Sequence, residues 1–567
     1  MIDLDDVRRS VWASYSQRVL ARCRSMLEAF GGAIPGLPPE VIEEMLCWIY
    51  REEGFPVLLA DELAARIRSL IGSKAAGLRL LVSKNFPVSP RLLPREFVRP
   101  KTTNRQAASR LLRWLALPLS RVCMRLNLLA ARLRGERHDA EIEHWPDEVY
   151  ALYPGWSTHT RHVWTYLGQD DPSGAPRDRI VFALGNALRH PRPEVPAEAT
   201  GGGVRFIRPL HRSDLASCYA ALKQSWPVLS RLFAAALADV QVDRRTEARW
   251  LLRAAYFLLN AKMIDAYVER LGPMSGGSAV FGLVASPADT ALDLALQKQG
   301  RTTIHWLHGN VAYGLQYRGH SSVCLCRSPV EAEVRATFGA YGTCLSAASS
   351  GEAAPGYAPR DEKSGLLLLT NLIHREAPCP MPRGAEAEAH LHTLLKITAD
   401  VAEARREPLC WRPHPRERAN RKPFSKAADA VRQRANTLDE APHLSAQLTA
   451  HRYVVCTFST TIADAVEAGV VPAVYAGAAY ENVGYWKHLP EALKFRTADG
   501  LRQILDRLDD AAFARTMYDR LAALFNTNAQ QLPTPGAFAH LASGSVAPAP
   551  ARLFRAGRSN RMEATEV

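Results

Sequence analysis

Lysine is scarce in this chain, supplying 12 of its 71 basic residues. Arginine makes up the rest, and alanine is abundant, a bias that points to a GC-rich bacterial genome as much as to selection for charge. The formal net charge of +14 therefore leaves three anionic partners open: lipid, nucleotide and nucleic acid. Nucleic acid is the weakest of them, because no stripe of aromatics interleaves with the arginines. No apolar run reaches about 18 residues, which excludes a conventional membrane-spanning helix. The ten cysteines lack paired spacing apart from Cys324-x-Cys326, and no His/Cys group has the spacing of a structural zinc site. A chain of 567 residues needs no disulfide staples, so reduced thiols and a cytoplasmic location are expected. The opening Met-Ile-Asp-Leu-Asp-Asp is acidic and has no apolar core, unlike a secretory signal. No repeat of 20–50 residues is evident.

The length implies two or three domains. Residues 1–150 read as a helical N-terminal region: Val7, Val11, Tyr15, Val19, Cys23, Met26 and Phe30 recur at helical spacing. Within it, residues 106–134 form a basic amphipathic candidate. Leu111, Leu112, Trp114, Leu115, Leu117, Leu119, Val122, Leu126, Leu128 and Leu129 alternate there with six arginines, and Pro118 is expected to kink or break it. From 178 to 345 short apolar strands alternate with helices, as in a parallel sheet. A loose Ala/Ser/Gly/Pro stretch, 346–363, reads as a linker. A second α/β domain occupies 364–530, opening on the buried strand Gly365–Asn371 and ending in a helical stretch over 498–526. Residues 539–567 have the composition of a disordered tail.

The chemistry concentrates between residues 410 and 472. Leu409-Cys410-Trp411 leads into Arg412 and His414, and Tyr453-Val454-Val455-Cys456 leads into Ser459, Thr460 and Thr461. In open α/β sheets ligands bind beyond the carboxyl ends of strands. Hydroxyls at a helix start, beside an arginine and a histidine on a neighbouring strand end, make a cradle for phosphate. His414 lies between Pro413 and Pro415, which restrict its backbone, so its side chain answers to something outside the strand. As imidazolium or as a neutral N–H donor it can bind a leaving phosphate. Arg412 can fork onto the same group, and Arg416 and Arg418 either do so or coat the surface. Ser459, Thr460 and Thr461 supply more hydroxyls than one helix cap requires. Glu467, two turns on, bonds a ribose hydroxyl or closes a surface ion pair.

These elements resemble the donor-site signature of GT-B glycosyltransferases that build bacterial surface polysaccharides: the capsule Kdo-transferases, polysialyltransferases and teichoic-acid glycerophosphotransferases. Arg412-Pro413-His414-Pro415, Ser459-Thr460, Glu467-Ala468 and Gly469-Val470-Val471-Pro472 occur in the order of that family. Upstream, Thr302-Thr303-Ile304-His305-Trp306-Leu307-His308-Gly309 is similar to its strand ending in His-Gly. The likeness covers roughly residues 178–530. It implies two Rossmann-like domains facing across a cleft, a nucleotide-sugar donor, and a glycan or lipid-linked acceptor of capsule or lipopolysaccharide synthesis. The implied reaction needs no cofactor. The usual carboxylate pair for a divalent ion in GT-A enzymes, Asp-x-Asp, is absent from the α/β region, so no metal is expected.

His308, at a strand end before a glycine, is the candidate general base for an acceptor hydroxyl. Asp289 is its rival, although an aspartate at a helix start is commonly a cap; His305 reads as a core histidine. The sequence departs from its relatives in two ways. No lysine follows His308-Gly309 between Val311 and Gln316, and the only Asp/Glu-Asp/Glu-Gly triplet, Glu52-Glu53-Gly54, falls in the helical region. Donor identity thus stays open. Two rival readings remain: a nucleotide-sugar epimerase on the same scaffold, and a transferase-like scaffold that binds partners without turnover. For 106–134, packing in its own domain competes with contact at an anionic membrane surface, which would make the protein peripheral at the inner membrane.

Overall fold

Short aliphatic and β-branched runs in this chain become strands buried on both faces, the pattern of parallel sheets. The computed structural model describes residues 4–32, 34, 36–71, 105–133, 148–152, 179–183, 204–272, 278–281, 286–306, 314–326, 329–346, 356–359, 362–372, 385–414, 417, 429, 437–438, 444–459, 461–478 and 480–525. The first sheet holds β1 (Glu148–Leu152), β2 (Arg179–Ala183), β3 (Val204–Ile207), β4 (Ser278–Phe281), β5 (Thr302–Trp306), β6 (Val323–Cys326) and β7 (Thr343–Ser346). Their spatial order is β3-β2-β1-β4-β5-β6-β7. The second holds β8 (Leu366–Thr370), β9 (Leu409–Pro413), β10 (Thr437–Leu438), β11 (Tyr453–Thr457), β12 (Pro472–Tyr475) and β13 (Lys494–Phe495), ordered β10-β9-β8-β11-β12-β13. Every neighbouring pair is parallel. Counted from its own first strand, the second sheet reads 3-2-1-4-5-6 and the first 3-2-1-4-5-6-7, the doubly wound order of a Rossmann fold with one strand added to the first. The α/β class with two Rossmann-like sheets expected from the sequence is the one observed.

The helices are α1 (Leu4–Ala13), α2 (Tyr15–Ala29), α3 (Pro39–Glu53), α4 (Phe55–Ile71), α5 (Arg105–Leu133), α6 (Asp214–Asp239), α7 (Arg244–Leu271), α8 (Pro287–Lys298), α9 (Pro329–Phe338), α10 (Ala385–Ala404), α11 (Leu444–Ala450), α12 (Thr461–Glu467), α13 (Gly484–His488), α14 (Ala498–Leu508) and α15 (Ala511–Phe525). Their packing joins the N-terminal helices to the first sheet. Val11, Tyr15 and Met45 of the N-terminal helices share one buried core with Trp250 and Leu258 of α7, Phe281 of β4 and Leu292 of α8. Arg318, buried after a 3-10 turn (Gly314–Tyr317), pairs with Glu43 at 3.1 Å and Glu44 at 3.6 Å on α3. The described helices of residues 1–150 thus pack into the first α/β unit, whose sheet includes Glu148–Leu152. β1 lies at the centre of that sheet, paired with both β2 and β4.

Pro118 neither breaks nor ends α5, which runs unbroken over 29 residues; the indole of Trp226 on α6 donates to the Arg113 carbonyl at 2.7 Å beside the proline's turn. The helical stretch expected over 498–526 forms two helices in its described part, Ala498–Leu508 and Ala511–Phe525. Asp510 separates them and accepts from the Ala512 N–H at 2.8 Å, a capping contact. The tail at 539–567, His308, Thr460, Arg416 and Arg418 lie outside the described residues.

The second unit has its own core, built on Leu366–Leu369, Trp411, Val454 and Val474. Gly469 takes φ +72°, a backbone state that glycine adopts without strain, and so turns the end of α12 directly into β12. Glu481, after β12, reaches back to the other unit. Its carboxylate accepts the Ser16 N–H at 2.6 Å, the Ser16 hydroxyl at 2.8 Å and the Gly314 N–H at 2.5 Å. At the rim, Lys487 and His488 of α13 pair with Glu333 of α9 at 3.2 and 3.4 Å.

Candidate functional site

In the order β10-β9-β8-β11-β12-β13, chain direction along the sheet reverses between β8 and β11. In open α/β sheets such a reversal is where ligands bind, beyond the carboxyl ends of the strands. The residues that finish β8, β9 and β11 are Thr370, Pro413 and Thr457. They are followed by Asn371, His414 and Ser459, so the polar groups singled out in the sequence emerge at one edge. With strands about 4.8 Å apart, the ends of β9 and β11 stand roughly 10 Å apart on either side of β8. Side chains reaching inward from both can bracket a phosphate.

Burial alternates along β9. Leu409, Trp411 and Pro413 point into the core, while Cys410 and Arg412 are half-buried on the other side. His414 is also half-buried. Its backbone N–H donates to the Thr370 carbonyl at 3.1 Å and to Glu417 Oε2 at 3.0 Å. The fold therefore uses the main chain of His414, and its imidazole is not part of the core.

Glu417 is the group the sequence reading missed. Its side chain is wholly buried, and it accepts the Thr370 hydroxyl at 2.6 Å and the Leu372 N–H at 2.6 Å as well as the His414 N–H. Thr370 Oγ1 in turn accepts from the Trp411 indole at 3.0 Å. One carboxylate thus fixes the chain leaving β8 and the turn leaving β9. In sequence it lies in Arg416-Glu417-Arg418, which reads as a solvated charge run; only its spacing of three from His414 hinted at a local turn.

On the β11 side, Ser459 Oγ accepts the Thr461 N–H at 3.3 Å and lies 2.5 Å from Thr461 Oγ1. These two hydroxyls form the first turn of α12, with the Ile462 N–H on the Ser459 carbonyl at 3.2 Å. Glu467 is the last residue of that short helix and is half-buried. Beneath them the Thr457 hydroxyl is buried without a hydrogen-bond partner among the described residues. An orphan hydroxyl at a strand end costs stability unless a ligand or water meets it.

The candidate bases of the first unit are placed differently. β5 ends at Trp306, two residues short of His308. His305 is fully buried, with Nδ1 2.5 Å from the Tyr341 hydroxyl, a core role. Asp289 is 0% exposed in the first turn of α8. The Ser286 hydroxyl donates to Asp289 Oδ2 at 2.9 Å, and Ser286 Oγ accepts the Asp289 N–H at 3.4 Å. That arrangement is a helix cap. Among the described residues no cluster of His, Cys, Asp and Glu could hold a metal ion.

No family model matches the chain, and no curated protein matches it. Solved structures similar to it include an α,α-trehalose 6-phosphate synthase from Burkholderia multivorans, at 12% identity over 71% of this chain and 98% of that one, TM-score 0.37. A UDP-glucose:anthocyanidin 3-O-glucosyltransferase in complex with UDP aligns at 9% identity over 71% of this chain and 100% of its own, TM-score 0.39. The UDP-GlcNAc 2-epimerase of Neisseria meningitidis bound to UDP-GlcNAc aligns at 10% over 67% and 97%, TM-score 0.34. Overlaps this loose carry no weight for the chemistry here. The fold is defined by the strand order of the two sheets.

Proposed function

We propose that this chain is a metal-independent, GT-B-type glycosyltransferase. It moves a sugar, or a polyol phosphate, from a nucleotide-activated donor onto a growing bacterial capsule or lipopolysaccharide glycan. What supports the reading is that Arg412 and His414 lie at the end of β9 and Ser459 and Thr461 just past the end of β11, the two strands that flank β8 at the switch point of a Rossmann-ordered sheet. Phosphate is the ligand those donors suit, since guanidinium, imidazole and hydroxyl all give hydrogen bonds to it.

In this reading Arg412 and His414 meet the leaving phosphate from one side, while Ser459, Thr460 and Thr461 meet it from the other. Donors fixed in place before charge develops stabilise the transition state without reorganisation. Glu417 acts through His414 by holding its backbone. Glu467 takes the ribose. His308, two residues beyond the last residue of β5 in sequence, takes the proton of the acceptor hydroxyl. The acceptor is a glycan or lipid-linked glycan, met in the cytoplasm at the inner membrane.

The test is transfer of labelled sugar from CMP-, CDP-, UDP- and GDP-linked donors to membrane-derived acceptor by the full chain. One donor class should be consumed. If none is transferred, hydrolysed or epimerised, the chain binds partners without turnover and the proposal falls.

A further inference from the structure

All seven exposed large hydrophobic side chains among the described residues lie on one helix, α5. A soluble domain scatters such residues singly, and a contiguous apolar patch marks a surface made to meet something. The helix has two apolar faces. Ala116, Leu117, Met124, Leu128 and Ala131 are buried, and buried Asn127 bonds the Tyr256 hydroxyl of α7 at 3.1 Å, so this face belongs to the core. Leu111, Trp114, Val122, Leu126, Leu129 and Leu133 lie on the opposite side at steps of three, four and eight. Trp114 is 70% and Leu133 80% exposed.

Charge decides what covers that stripe. From Arg105 to Leu133 the helix carries six arginines and no aspartate or glutamate. At 100° per residue, Arg121, Arg125 and Arg132 fall in a row along one flank of the exposed stripe. Arg121 is braced over the Tyr219 ring of α6, 4.6 Å from its centroid, whereas Arg125 and Arg132 stand in solvent. Two copies paired through this face would set arginine against an arginine-rich helix with no acid on it to answer. An apolar stripe with a cationic flank and an exposed tryptophan is complementary to an anionic lipid surface, where acyl chains take the stripe and headgroups take the guanidinium row.

We infer that α5 docks the protein on anionic membrane surfaces, lying in the plane of the interface with Trp114, Val122, Leu126 and Leu129 inserted. The helix is anchored to α6 and α7 by its other face, so it docks as a rigid edge of the first unit and needs no folding on contact. This inference goes beyond the proposed reaction and does not depend on the donor site. Its assay contains neither donor nor acceptor, so the two can fail separately.

The experiment is sedimentation of the full chain with phosphatidylglycerol/phosphatidylethanolamine vesicles and, in parallel, with phosphatidylcholine vesicles. The wild type should sediment with the anionic vesicles only, and less so as salt rises from about 0.1 to about 1 M, where the screening length shrinks from roughly 10 to roughly 3 Å. Replacing Trp114, Val122, Leu126 and Leu129 together by Gln should cut partitioning by at least about tenfold while leaving the melting temperature in place, because none of the four is in the core. Arg125→Gln with Arg132→Gln should lower the salt dependence. Three results would overturn the inference: wild type that ignores anionic vesicles at low salt, a fourfold variant that binds as before, or a wild-type dimer that the fourfold variant converts to monomer without any vesicle binding. A fourfold variant that unfolds in the absence of vesicles would overturn it too, since residues 72–104 or 134–147 of the chain itself would then be what the stripe packs against.

Discussion

Glu481 and Ser16, 465 residues apart in sequence, meet through two hydrogen bonds, with the carboxylate taking both the N–H at 2.6 Å and the hydroxyl at 2.8 Å. Ser16 lies in the first turn of α2, so a residue of the second unit caps a helix of the first. The same carboxylate holds Gly314, and the Leu315 N–H closes onto Ser16 Oγ at 2.9 Å. This contact joins the second unit to the N-terminal helices.

Burial pushes the Glu481 carboxyl up to about 7, even though its N–H and O–H donors favour the ionised form. A raised carboxyl favours folding while protonated, so the folded state holds an extra proton between about pH 4.5 and 7. Its contribution to stability is fully present below about 4.5 and is lost as pH rises through about 7. Thermal unfolding across pH 5 to 8 should therefore show a decline in the wild type that Glu481→Gln flattens. Parallel pH profiles in the two proteins would refute the assignment.

Glu417→Ala should cost about 3–5 kcal/mol in urea unfolding, because it leaves the Leu372 N–H and the Thr370 hydroxyl buried without their acceptor, at roughly 1–3 kcal/mol each before relaxation, and leaves the His414 N–H with the Thr370 carbonyl alone. The same change frees the His414 turn, so donor affinity in the remaining folded protein should fall as well. A loss below about 1 kcal/mol would mean that water replaces the carboxylate.

His414→Ala should behave oppositely. The main-chain bonds to Thr370 and Glu417 do not need the imidazole, so stability should stay within about 0.5 kcal/mol of wild type. Turnover should fall by at least about a hundredfold, the scale of removing one preorganised donor to developing charge. Wild-type rates in a folded His414→Ala protein would remove the residue from the mechanism.

Ser459→Ala with Thr460→Ala should weaken donor binding, each lost hydrogen bond to a charged phosphate being worth roughly 1.5–3 kcal/mol. Ser459 also caps the turn into α12, which adds a stability loss of about 0.5–2 kcal/mol. Calorimetry with the donor separates the two. Unchanged affinity with reduced stability would leave these hydroxyls a capping role alone.

The sheets were legible in the sequence where apolar runs end in unusual polar groups. Arg412-Pro413-His414 and Ser459-Thr460-Thr461 mark the ends of β9 and β11 because prolines and hydroxyls stop a strand. β1 was not legible: Glu148–Leu152 is five residues between Trp-Pro-Asp and Tyr-Pro-Gly, and only its pairing with β2 and β4 makes it a central strand. The apolar set of α5 was recognised, but sequence could not divide it into a packed face and an exposed one, since both repeat with helical spacing. Glu417 and Glu481 were invisible for a different reason. A carboxylate in a charged or loop segment reads as solvated, and nothing local shows that its partners lie 45 or 465 residues away.

The central claim is that the switch point between β8 and β11 binds the phosphates of a nucleotide, and titration calorimetry of UDP, CDP, CMP and GDP against wild type and His414→Ala tests it most directly. One nucleotide should bind the wild type, and the variant should bind it at least about tenfold more weakly, the loss of one hydrogen bond to a charged group. At about 100 times its dissociation constant that nucleotide should also raise wild-type stability by about 2.7 kcal/mol. Binding of none of the four, or equal binding by both proteins, would contradict the account.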